Sequence, residues 1–137
     1  MSKIIINLPH VFHSGVNPEH NAKALRRFLD LMVQLNLDFL RDHPDTPDLY
    51  KSGVVYARTC WWEPIPAFYK RKKADCKSLA PARSAFRIRA GYKSRPVFRY
   101  NKQGQLYHIL CEDEQLGYDD PSKVLGMGAH ELVYYAC

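Results

Sequence analysis

Between Asn17 and Pro44 the chain spells out a helix together with both of its ends. Asn17 is a good N-cap, Pro18 suits a first helical position that needs no amide hydrogen, and Glu19 sits where the helix dipole favours an acid. Ala24, Leu25, Phe28, Leu31, Met32 and Leu35 recur at three- and four-residue intervals, so the spacing predicts an amphipathic helix running to about Arg41. In a chain of 137 residues, set against ~150 residues per domain, such a helix leaves room for one hydrophobic core and no second.

The rest of the chain is punctuated more often. Ile4-Ile5-Ile6 reads as a short strand or apolar arm broken by Pro9, and the segment His43 to Asp48 is turn material with two prolines. Val54 to Ala57 is a strand candidate, followed by an irregular aromatic segment opened by Trp61-Trp62. A second helix is expected from about Asp75 to Ala90, closed by Gly91 at C′; Pro81 should kink its first turns or mark a later start. Beyond Gly91 the pattern changes to alternation, with strands Arg95 to Tyr100 and Leu106 to Cys111 joined by a turn at Asn101 to Gly104. A third short strand is expected through Gly117 to Ser122, and Glu131 to Tyr135 reads as a last strand or packed tail. Helix, strand, helix and then antiparallel strands make an α+β layout.

Charge is unevenly placed along this frame. The whole chain carries a formal +6, yet Lys70 to Lys102 holds 12 Lys or Arg against one acid, Asp75, and the remainder is net acidic. The longest apolar runs fall well short of the ~18 residues of a membrane span, and the first residues lack the form of a secretory signal. A soluble, cytoplasmic protein with no membrane partner is therefore expected. The four cysteines, Cys60, Cys76, Cys111 and Cys137, form no CxxC pair, and a domain of this size needs no disulfide staples, so free thiols are expected.

Cys76 stands out among them. It opens the second helix, where unpaired backbone donors favour the thiolate, and Lys70, Arg71, Lys72, Lys73 and Lys77 add positive charge while Asp75 opposes it. A cysteine nucleophile needs a base, and the base needs an orienting carboxylate. His108 lies within a strand, on the face opposite Tyr107 and Ile109, and Asp120 follows 12 residues later on the next strand, from which it can reach the imidazole. Taken singly, each of these is an ordinary packed cysteine, strand histidine or turn aspartate. Their order, cysteine on a helix start, histidine mid-strand, aspartate on the following strand, is what points to chemistry. Asp119 competes with Asp120 for the third place, and alternation lets one of the two face His108.

Asp75-Cys76, Tyr107-His108, Asp119-Asp120-Pro121-Ser122 and Leu125-Gly126-Met127, preceded by Trp62 and Ile65-Pro66, resemble the transglutaminase-like branch of the papain-like superfamily. They look more like small phage-encoded transglutaminase-like proteins, over about Trp62 to Met127. The resemblance implies one domain over 1–137, with a core at about 52–128 and an N-terminal helical extension at about 1–45, the nucleophile-bearing helix packed on a small antiparallel sheet. It implies Cys76 as nucleophile, His108 as general base and acid, and Asp120 as the group orienting the imidazole. A thioester acyl-enzyme would form on an amide, peptide or thioester substrate and pass to water or an amine, with no cofactor and no metal. The Cys76 backbone N–H, Trp61, Trp62 and Asp119 are candidates for the oxyanion or substrate site. Lys77-Ser78 and Lys70 to Lys73 depart from the acidic and glycine-rich stretches of those proteins, a difference that bears on substrate choice. The resemblance also implies a bacterial host cytoplasm, with association to the virion as the other location.

Two further readings stand beside this one. The first is a non-catalytic phage structural or assembly protein, or one that meets a host protein. The second is nucleic-acid binding, because Phe68, Tyr69, Phe86, Tyr92, Phe98 and Tyr100 interleave with the cations of the basic stretch as stacking platforms do. Within that stretch, Arg83, Arg87 and Arg89 read equally well as a solvated helix face, and Lys70, Arg71, Lys72 and Lys73 are the candidate contacts for an acidic partner. His10 and His13 lack an acidic or cysteine partner at ligand spacing and read as loop histidines.

Overall fold

A computed structural model describes residues 18–100 and 106–128. Helix α1 spans Pro18–Asp42, close to the predicted extent. Its N-cap at Asn17 lies outside the described residues, as do Ile4 to Ile6, His10, His13, the turn at Asn101 to Gly104 and the closing Glu131 to Tyr135. The buried line on α1 is Leu25, Leu29, Met32, Val33, Asn36 and Leu40. This corrects the expected stripe, because Leu31 and Leu35 are 44% and 45% exposed. At ~100° per residue a line through Leu25 passes Leu29, Met32, Asn36 and Leu40 and leaves Leu31 and Leu35 outside its arc. Asn36 is polar yet fully buried, and its Oδ1 accepts the amide of Ile65 at 2.8 Å.

A 3-10 turn at Leu49–Lys51 follows, capped by Asp48, whose Oδ1 accepts the amide of Tyr50. The strand expected near Val54 is the two-residue β1, Val55–Tyr56, which pairs in parallel with β2, Lys73–Ala74. Between them lies a helix the sequence pattern did not predict, α2, Ile65–Arg71. Pro64 precedes it and Pro66 sits in its first turn, where proline costs no backbone bond. It ends at Lys72, which adopts the left-handed conformation (φ 59°) and returns its amide to the carbonyl of Phe68.

Helix α3, Cys76–Arg89, begins at Cys76 and runs through Pro81, so the proline does not delay its start. Pro81 forfeits one backbone bond, that to the carbonyl of Lys77. At the far end the amide of Gly91 bonds the carbonyl of Ile88 and that of Tyr92 bonds the carbonyl of Arg87, with Gly91 at φ 98°. That paired geometry is a Schellman stop, and it places glycine where the sequence predicted it. Every residue from Cys76 to Phe86 is buried.

Strands β3 (Ser94–Tyr100), β4 (Leu106–Asp113) and β5 (Gly117–Asp119) form an antiparallel sheet in the order β3-β4-β5. The expected third strand stops at Asp119, and Pro121–Val124 is instead a short helix, α4, with Asp120 as its N-cap. Both α1 and the sheet pack on α3. The fold is mixed α+β, with α3 at the centre of a core that includes Leu25, Leu49, Ile65, Phe68, Leu79 and Ile109. Among the described residues no helix is long and apolar enough to cross a membrane.

The β4–β5 turn is held from α3. Arg87 donates Nε to Asp113 Oδ2 at 2.8 Å and Nη2 to Oδ1 at 3.2 Å, while the amides of Gln115 and Leu116 bond the same Oδ1. These donors, Arg87 foremost, hold the Asp113 carboxyl down at about 2 against an ordinary 3.8. A carboxylate with a lowered value in the folded state stabilises the fold above its unfolded pKa, and that stability is lost as pH falls through the folded value. Lowering pH from about 4 to 2 should therefore remove about 2 kcal/mol through this group. Urea titrations at stepped pH check this: Asp113→Asn should be less stable at neutral pH and lose less on acidification. An unchanged acid profile in the variant would sink the assignment.

Candidate functional site

The α3 to sheet contacts fix where the predicted site residues lie. Arg87 meets Asp113, Ser84 Oγ lies 3.4 Å from Cys111 Sγ, and Cys111 Sγ donates to the carbonyl of Ala80 at 3.2 Å. Residue numbers fall together along α3 and β4, so α3 and β4 run in the same direction. Cys76 is one turn before Ala80, about 6 Å further along the axis, at the end of the sheet where β4 begins and His108 sits. Cys76 is fully buried and shares the core cluster with Ile109 and Cys111.

His108 pairs with Asp120. Its Nε2 lies 2.7 Å from Asp120 Oδ2, and both side chains are largely buried, at 10% and 15% exposure. The other oxygen of Asp120, Oδ1, accepts the amide of Lys123 at 3.3 Å and so caps α4. One carboxylate thus follows β5, starts α4 and holds the imidazole. Because a carboxylate accepts and cannot donate, Nε2 carries the hydrogen and Nδ1 is left as the basic nitrogen.

Asp119 goes elsewhere. It stands opposite Cys111 in the β4–β5 register, on the α3 side, where it accepts Nε of Arg83 at 2.6 Å and the hydroxyl of Tyr50 at 2.7 Å. Alternation turns the next residue, Asp120, the other way. The same rule sets Ile109, Cys111 and Asp113 toward α3 and His108, Leu110 and Glu112 on the opposite face.

The start of α3 is tied to the segment before α2. Asp75, the N-cap residue, makes no side-chain capping bond; its Oδ2 accepts the amide of Thr59 at 3.1 Å and pairs with the buried ammonium of Lys77. Lys77 Nζ also donates to the carbonyl of Thr59. Ser78 Oγ accepts the amide of Glu63 at 2.9 Å and donates to the carbonyl of Trp61 at 3.4 Å. Burial pushes the Asp75 carboxyl up, against the pull of Lys77 and the Thr59 amide. Lys77 is thus a buried partner of Asp75, and its charge beside Cys76 is matched by that carboxylate. Trp61 is 50% exposed; Trp62 packs edge-to-face on Phe28 of α1, with centroids 5.0 Å apart.

Of the four basic candidates, Lys70 and Lys73 are exposed, Arg71 pairs with Glu63, and Lys72 donates Nζ to the carbonyl of Ser52 at 2.7 Å. Arg89 is exposed, but Arg83 and Arg87 are not a solvated face, since each is held by a largely buried carboxylate. The dense positive charge of the sequence is thus partly neutralised inside the fold. Cys111 is a structural thiol: burial pushes it up to about 12. Among the described residues Cys76 and Cys111 are in no disulfide, whereas Cys60 is disulfide-bonded, against the expectation of free thiols throughout. Sequence reasoning missed Arg83 and Lys77 as internal partners; the available signal was that Cys76, Ala80, Arg83 and Arg87 share one helical stripe.

Removing one partner of a buried pair strands the other charge. Lys77→Ala should cost about 3 kcal/mol or more, whereas the double change Lys77→Met with Asp75→Asn should recover most of it. Denaturant midpoints measure both, and a loss below about 1 kcal/mol in the single variant would show that the pair does not hold this end of α3. Comparison of the chain with models of known protein families, with curated proteins and with solved structures finds no match.

Proposed function

We propose that this chain is a cysteine-dependent hydrolase or acyltransferase of the transglutaminase-like, papain-like type, acting on an amide, peptide or thioester. The observation that carries the reading is the 2.7 Å His108–Asp120 bond, set at the end of the sheet where α3 begins with Cys76. Asp120 holds the Nε2–H tautomer, so Nδ1 is the nitrogen that takes the proton of the Cys76 thiol. The thiolate attacks the substrate carbonyl carbon, and backbone N–H groups at the start of α3 face the oxygen as it gains charge. Collapse breaks the bond to the leaving group, which departs with the proton carried by His108, and a thioester remains on Cys76. His108 Nδ1 then takes a proton from water or an amine as that acceptor attacks the thioester, and the thiol is restored. The reading requires His108 to reach the thiol past the beginning of β4, not through the sheet. The exposed Lys70 and Lys73 favour an acidic protein or peptide substrate.

A second reading, a non-catalytic assembly or host-interaction domain of the same fold, draws on the complete burial of Cys76. Iodoacetamide labelling against pH, resolved by site in mass spectra, separates the two. A nucleophile activated by His108 reacts at about pH 6 in the native state, and His108→Ala and Asp120→Asn slow it at least about tenfold. Cys111 serves as the internal control and stays unlabelled until the protein unfolds. If Cys76 labels only on unfolding, or follows the ordinary thiol value of ~8.5 and ignores His108, the catalytic reading falls.

A further inference from the structure

Asp119 and Asp120 are adjacent carboxylates on one short strand end, and each is chemically able to hold an imidazole. What distinguishes them is the partner set offered to Asp119. Arg83 on α3, 9% exposed, donates Nε to its Oδ2 at 2.6 Å, and Tyr50 donates its hydroxyl to Oδ1 at 2.7 Å. Both oxygens are therefore occupied by charge-assisted bonds, the stronger class of hydrogen bond. These two donors are themselves fixed. The guanidinium lies over the Tyr50 ring, 4.1 Å from its centroid, and Nη1 is 3.7 Å from Asp48 Oδ1, the atom that accepts the Tyr50 amide at 3.0 Å. Burial, and then the bond to Asp119, push the Tyr50 hydroxyl far above the ordinary phenol range, so it remains a donor.

We propose that Arg83 and Tyr50 are positioning residues: by holding both oxygens of Asp119 on the α3 side of β5, they fix the strand end so that Asp120 is the carboxylate delivered to His108. Neither touches the imidazole. They act through the register of two consecutive residues, because a half-turn of the strand at Asp119 would exchange the faces of Asp119 and Asp120. Arg83 also lies two helical turns after Cys76, so one rigid helix carries both the thiol and the group that sorts the aspartates. The consequence at Cys76 rests on the catalytic reading above, whereas the effect on the His108–Asp120 bond does not.

The test uses the full chain labelled with 15N and two readouts: the exchange rate of the downfield His108 Nε2 proton, with the imidazole nitrogen shifts that report its tautomer, and the labelling rate of Cys76. Asp120→Asn sets the value for a broken pair. Arg83→Gln should speed exchange of that proton by at least about tenfold, the scale of losing a charge-assisted bond, and shift the tautomer equilibrium. Arg83→Lys, which keeps the charge without the fork, should recover part of the effect. Tyr50→Phe removes one bond and keeps the stacked ring, so it decides the matter if Arg83→Gln does not fold. A role limited to stability would lower the denaturant midpoint and leave the native-state proton signal alone. If Arg83→Gln or, failing its folding, Tyr50→Phe keeps exchange within about twofold of the parent while Asp120→Asn abolishes the signal, the positioning role is overturned and the pair itself stands. If the variants disturb the His108 proton but neither they nor Asp120→Asn alter Cys76 labelling, the positioning role stands and the nucleophile assignment falls.

Discussion

Everything else in this fold answers to the burial of α3. Eleven consecutive residues, Cys76 to Phe86, are taken out of water, and among them are Lys77, Ser78, Arg83 and Ser84. A buried charge without a partner costs several kcal/mol, so each of these side chains has to meet a matching group from another element. Lys77 meets Asp75 and the carbonyl of Thr59, Ser78 meets Glu63 and Trp61, Arg83 meets Asp119, and Ser84 lies against Cys111 and Ser94. Arg87 one turn later meets Asp113. The segment before α2, the 3-10 turn, the end of β4 and the end of β5 are thereby registered on a single helix. Apolar packing alone, being non-directional, would hold these elements close without fixing which residue faces which.

Local signals in the sequence carried the parts of the fold that local chemistry decides. The extent of α1, the end of α3 at Gly91, and the strands β3 and β4 all depend on caps, glycine conformation and alternation, and these are visible within a few residues. The choice between Asp119 and Asp120 was legible only in part, because alternation allows one of two neighbours to face His108 without saying which, and it was the resemblance that favoured the residue directly before Pro121. What stayed hidden depends on distant partners. Leu31 and Leu35 match a helical stripe as well as Leu29 and Leu40 do, and which arc is buried is decided by where α3 lies. The short helix α2 has two prolines at its start and reads as irregular chain. Arg83, Arg87 and Lys77 look like surface charge in a basic run, and their burial is set by Asp119, Asp113 and Asp75, the nearest of which is two residues away and the others more than twenty.

That last point changes how the charge of the chain bears on its chemistry. Read linearly, the stretch from Lys70 to Lys102 is a dense positive field. Folded, five of its cations pair with carboxylates, Lys77 with Asp75 and Arg71, Arg83, Arg87 and Arg95 with acids from the remainder of the chain, and the positive charge left near the start of α3 is the exposed Lys70 and Lys73. Under the proposed function, a field of that kind steers an acidic partner toward the start of α3.

The carboxylates show the same economy at closer range. Three aspartates near the sheet have three different environments: Asp113 is held low by a guanidinium and two amides, Asp119 is shared between a guanidinium and a phenol, and Asp120 is divided between an amide and an imidazole. Only the last leaves a titratable partner whose other nitrogen is uncommitted by that bond. Charged donors reserved for Asp113 and Asp119 keep those carboxylates from competing for His108, and the weaker, single amide at Asp120 leaves its second oxygen free to hold the imidazole. The selectivity lies less in Asp120 than in the arginines that occupy its neighbours, both of which stand on the helix that opens with Cys76.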